Sequence, residues 1–157
     1  MNTQTFLSID LVLHITGFTM LAGTVLADFV ISQRMKPYLT SDKPRAMGMM
    51  DSVANFPRLI GIGTGLLIIS GVAMLSIFKE AVGGALWFKI KLILVVLAAL
   101  IGAVILNRNN KRLKSLLLAN DERNNPTILT IKRRMELFHG LQLLLFLTIF
   151  ILSVFKF

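Results

Sequence analysis

Cysteine is absent from this 157-residue chain, and histidine occurs only twice. The first absence excludes disulfides, thiolate metal sites, chain-attached iron–sulfur clusters and a cysteine nucleophile. Charge is scarce too, at 16% of residues, with eight acidic side chains against seventeen basic ones. No nucleotide-binding loop, zinc signature, Ser-His-Asp order or carboxylate pair occurs, so no catalytic residue is nominated. What fills the chain is apolar, at 55%, more than a water-soluble domain of this length carries. A bilayer is the natural solvent. A formal charge of +9 would suggest nucleic acid in a soluble protein, yet here the basic residues stand between long apolar runs and are not interleaved with aromatics on a polar face. Membrane lipid is the expected partner, and nucleic acid is not.

Four apolar runs emerge, Leu11 to Ile31, Leu59 to Phe78, Leu86 to Leu106 and Leu137 to Phe155. Each approaches the ~20 residues that cross ~30 Å of hydrocarbon as a helix. No strand alternation competes with them. The expected fold is all-α, an integral membrane, up-down four-helix bundle with four transmembrane helices in a single domain over residues 1–157. The first run has no Lys or Arg ahead of it and no convincing small-residue cleavage site, so it is expected to be retained as a helix. Between runs one and two lie Arg34, Lys36, Lys43, Arg45 and Arg58; between three and four lie Arg108, Lys111, Arg112, Lys114, Arg123, Lys132, Arg133 and Arg134. The connection between two and three has only Lys79. Lys and Arg in short loops stay cytoplasmic, so the expectation is a multi-pass inner (cytoplasmic) membrane protein with both termini extracytoplasmic. The stretches 37–55 and 119–127 read as linker or short surface helix. For close packing, Gly61 with Gly65, Gly23 with Ala27 and Ala98 with Gly102 supply small residues four apart. Self-association into a homo-oligomer stays open.

Ionisable groups within spans are expensive and mark the places to look for function. An outer cluster comprises Asp10 and His14, four apart on helix one, and Trp87 and Lys91, four apart on helix three. At similar depth they can converge on one bound group. Singly, each has a plainer reading: a hydrogen-bonded histidine, an aromatic-belt tryptophan and a snorkelling lysine. Lys89 and Lys91 are two apart and face opposite sides, so one of them is expected to be interior. An inner cluster comprises Asp28, Arg58, Asn107, His139 and Gln142. Its expected role is structural, an Asp28–Arg58 pair fixing the cytoplasmic end of the bundle, with proton relay or ligand binding second. The two histidines lie near opposite ends of their helices, roughly 20 Å apart in depth, so one haem iron cannot take both as axial ligands. Met47, Met49 and Met50 suit cuprous ion, though the apolar face of an interfacial helix is the better reading.

At these residues the sequence begins to look like a family. Val12-Leu13-His14-Ile15, Asn55-Phe56-Pro57 and above all Trp87-Phe88-Lys89-Ile90-Lys91-Leu92-Ile93-Leu94-Val95-Val96 resemble the HemJ-type protoporphyrinogen IX oxidases. The ending Ser153-Val154-Phe155-Lys156-Phe157 is similar to that family's close, without its proline. The resemblance implies haem b held by His14 as the metal ligand, with Trp87 and Lys91 also in the cofactor site. It implies oxidoreductase chemistry on protoporphyrinogen IX or a similar tetrapyrrole. This chain departs from the pattern at Ile101 and Gly102, where the family carries a second histidine, and at Met135 and Glu136, where it carries Asn-Glu. Lys91, Gly102, Asn107 and Arg108 also look like the membrane domain of CopD-type copper-resistance proteins. That second resemblance implies a non-enzymatic module handling copper or haem; a structural membrane subunit is the third reading.

Overall fold

A computed structural model describes residues 3–82, 86–119 and 125–155; within these, the side chains of residues 3, 78–82, 87 and 103 lie outside the description. The described residues are helical almost throughout. They form α1 (Thr3–Met35), α2 (Tyr38–Ser41), α3 (Lys43–Ser52), α4 (Phe56–Val82), α5 (Leu86–Leu100), a π-helical segment (Ile101–Leu106), α6 (Asn107–Ala119) and α7 (Asn125–Phe155). Helix starts follow local chemistry. Asp42 caps α3 by accepting the backbone N–H of Arg45 at 3.0 Å, with Pro44 just inside. Pro57 and Pro126 likewise occupy the first turns of α4 and α7, where a missing N–H removes no helical bond.

Four helical stretches are long and apolar enough to cross a membrane, and only 11–28% of each apolar window is buried within the chain. Ile69, Ile93 and Leu144 are among many large side chains on their outer faces, and a surface of that kind needs lipid against it. The fold is therefore the expected all-α, four-helix membrane bundle. Every spanning helix overshoots its apolar run, because flanking polar residues continue a helix at no cost once they reach water. α1 packs chiefly on α4, α7 packs on α1, and α5 with the π segment packs on α7. Among the described residues α4 and α5 make little contact, so the helix contacts run in the order α4–α1–α7–α5.

The close helix crossing falls elsewhere than the small-residue spacing suggested. A Cβ on Gly17 would lie 2.8 Å from the Gly63 carbonyl oxygen, and one on Gly63 would lie 2.9 Å from that of Gly17, so α1 and α4 touch backbone to backbone there. Gly61, Gly65 and Gly23 have open space where a Cβ would stand. Spacing alone cannot say which glycine faces the neighbour. Ala98 and Gly102 do mark an interface: Ala98 is buried, and a Cβ on Gly102 would come within 2.9 Å of the Gln142 amide nitrogen on α7.

The basic connections fold. α2 and α3 lie against α7, α6 and α1, and together with α6 and the first turns of α7 they enclose Leu39, Ala46, Leu113, Leu117, Ile128 and Met135, all essentially inaccessible. This cap has the packing of a small soluble domain. Met47, Met49 and Met50 contribute apolar surface to it. Ion pairs from Lys114 to Asp51 (2.8 Å) and from Lys36 to Glu136 (3.3 Å) cross its exterior.

Candidate functional site

The end of the bundle that carries the termini holds the first cluster. Asp10 and His14 lie one turn apart on α1. Asp10 is 5% exposed, and its Oδ2 is buried without a hydrogen-bond partner. His14 is half-buried, and its Nδ1 lies 2.8 Å from Ser70 Oγ on α4. The Ser70 hydroxyl is itself 2.6 Å from the Leu66 carbonyl, to which it donates. With the single Ser70 proton on the Leu66 carbonyl, His14 Nδ1–H donates to Ser70 and the Nε2 lone pair is left open. Histidines that ligate metals are oriented in this way, the far nitrogen held by a second group. Gly71 leaves room beside the ring, its would-be Cβ standing 3.7 Å from His14 Cε1.

Lys91 on α5 is half-buried and near enough for its charge to act on the His14 ring, as does that of Asp10. Lys89 points outward, so the opposition of the two lysines is as expected. Trp87 lies on α5, but its side chain is outside the described residues. The first cluster is thus His14, Asp10 and Lys91, with Ser70 as a member that the sequence did not single out.

The second cluster lies toward the cap and is built differently from expectation. Asp28 Oδ2 meets His139 Nε2 at 3.1 Å, not Arg58. Arg58 sits in the first turn of α4, exposed, where its guanidinium keeps its hydration, whereas α7 brings a fully buried imidazole to the carboxylate. Asn107 is exposed as well and stays outside the cluster. Gln142 belongs: its Nε2 donates to the Ala98 carbonyl at 3.2 Å, in the space that Gly102 leaves, next to the π segment. Phe29 packs edge-on to the His139 ring at 6.2 Å.

Sequence reasoning missed the rest of this cluster. Lys132, 1% exposed, donates from Nζ to Ser32 Oγ, with the Glu136 and Asp28 carboxylates close enough to act on it. Its signal was phase. Ile128, Lys132, Met135, His139, Gln142 and Phe146 recur at the three-and-four spacing of one helix face, all buried. Asp28 lies fourteen residues along α1 from His14, about 21 Å of axial rise, so the histidines belong to separate sites. Among the described residues no three His, Cys, Asp or Glu side chains are grouped to hold a metal ion. No family model matches the chain, and neither does any curated protein or solved structure.

Proposed function

We propose that this multi-pass membrane protein binds haem b at the terminus-end cluster, with His14 Nε2 on the iron and Lys91 against a propionate carboxylate. The observation that carries the reading is the His14 Nδ1–Ser70 Oγ hydrogen bond, which orients the imidazole from α4 and leaves its outer nitrogen unengaged. A half-buried ammonium alongside suits a carboxylate ligand. Bound haem supplies one-electron oxidation chemistry. The polypeptide's own part is to hold the ligand, to keep water from it with the apolar helices around it, and to offer Asp10 Oδ2, buried and unpaired, as a proton acceptor. The resemblance to HemJ-type proteins makes protoporphyrinogen IX or a similar tetrapyrrole the substrate. A module that holds haem and passes it on without turnover uses the same residues, and an assay of porphyrinogen oxidation separates the two.

Protein purified after expression with ample haem should show Soret absorbance that His14→Ala abolishes, His139→Ala retains and Lys91→Ala weakens. A protein that stays colourless when haem is added would sink the site and the oxidase reading together. The basic residues of the cap support an orientation with that end in the cytoplasm and both termini outside. Cysteines introduced at Thr5 and Ser115 should be labelled by an impermeant reagent from opposite sides of the membrane, and labelling of Ser115→Cys from outside overturns the orientation.

A further inference from the structure

Away from both clusters, a pocket of about 320 Å³ opens on the cap where α6 runs beside the first turns of α7. Asn109 and Arg112 of α6 face Thr127, Thr130, Ile131 and Arg134 of α7 across it, and among the described residues no lining side chain is acidic. The Asn109 amide nitrogen is buried there with no hydrogen-bond partner, although it has two protons to donate. Both arginines are exposed, and among the described residues neither forms an ion pair. Arg134 lies 5.6 Å over the Phe138 ring, which steadies the guanidinium plane and leaves its N–H edge free. α7 also begins at the pocket, so the positive dipole end of a 31-residue helix adds to the field. Two planar forks, a buried amide donor and a helix start match tetrahedral, anionic oxygen.

The geometry points to a phosphate-binding site here, occupied by the headgroup of an anionic lipid. A lipid is favoured over free phosphate by what adjoins the pocket. From Arg134 the same face of α7 continues as Leu137, Leu141 and Leu144, at 70%, 42% and 58% exposure, a stripe on which acyl chains can lie directly below the headgroup. The site stands independently of haem.

Native mass spectrometry of the full chain in detergent, with added phosphatidylglycerol or phosphatidylcholine of identical acyl chains, reads this directly. Wild-type protein should retain one phosphatidylglycerol at least about tenfold more tightly than phosphatidylcholine, whose phosphate can reach the same donors but whose quaternary ammonium is repelled by the two arginines. Arg112→Gln/Arg134→Gln should abolish that preference, while Lys111→Gln, which removes an exposed α6 charge outside the pocket, should keep it. Asn109→Asp should lose it with both arginines in place. Unchanged thermal melting of the variants shows that the fold is intact, and Arg112→Gln alone, with an intermediate loss, serves if the double variant melts early. Equal retention of the two lipids by wild type, or retention of the preference by the double arginine variant, overturns the site. Displacement of the lipid by inorganic phosphate at equal concentration overturns the lipid assignment in favour of a soluble anion.

Discussion

α1 carries an aspartate near each end, Asp10 buried and Asp28 partly buried, and the two are partnered differently. Asp28 is answered from α7 by His139, with Lys132 and Ser32 one turn on and the Lys36–Glu136 pair beyond, so the charged groups at that level are paired between helices, although His139 Nδ1, Gln142 Oε1 and Glu136 Oε1 stay buried without a partner. Asp10 is buried more deeply than Asp28, yet one of its oxygens has no partner, and the histidine beside it spends one nitrogen on Ser70 and keeps the other. Charged groups paired between helices lock them together; a buried carboxylate with no counter-charge stores binding capacity at some loss of stability. The contrast supports a structural role for the cap end and is consistent with the ligand role proposed for the terminus end.

The largest effect should come from breaking the side whose charges are paired. His139→Leu leaves Asp28 and Lys132 in an apolar setting without the imidazole, and a loss of about 3 kcal/mol is expected. Asp28→Leu/His139→Leu should lose less than the sum of the single changes, measured as a double-mutant cycle in thermal or denaturant unfolding. Additive losses would show that the two residues do not interact. A middle effect tests what holds the terminus end together. Gly63→Leu drives a side chain into the backbone of α1 and should cost about 2 kcal/mol, together with loss of bound haem, since the His14–Ser70 bond spans the same crossing. Gly61→Ala and Gly65→Ala face open space and should leave both readouts unchanged. The smallest effect belongs to the unsatisfied cluster itself. Ser70→Ala should cost only about 0.6 kcal/mol, typical of a hydrogen bond between membrane helices, while it loosens the imidazole and shifts the haem spectrum. A large stability loss with an unaltered spectrum would reverse the roles of the two ends.

The spans were legible because length and apolarity alone decide them. The cap was not, because hydropathy over Asn107–Ala119 is dominated by its Arg, Lys and Asn residues, although Leu113 and Leu117 face inward at helical spacing. Asp10, His14 and Lys91 could be found because the membrane makes such groups conspicuous. Ser70 could not, because a serine in an apolar helix usually bonds its own backbone, and here it does so while also taking the histidine. The Asp28–Arg58 pairing failed because charge complementarity names a sign and never a direction. Lys132 was counted among loop cations, since the helix that buries it begins well before its apolar run.

The packed cap has a mechanical consequence. Three of the spanning helices are rooted through it, and the fourth, α4, enters directly from α3, so that end behaves as a clamp from which the helices project like tines. Thinning or bending of a surrounding bilayer then has little purchase near Asp28 and acts chiefly on the far tips, where His14 and Lys91 reside. Under the proposed function, local bilayer thickness becomes an input to ligand binding there.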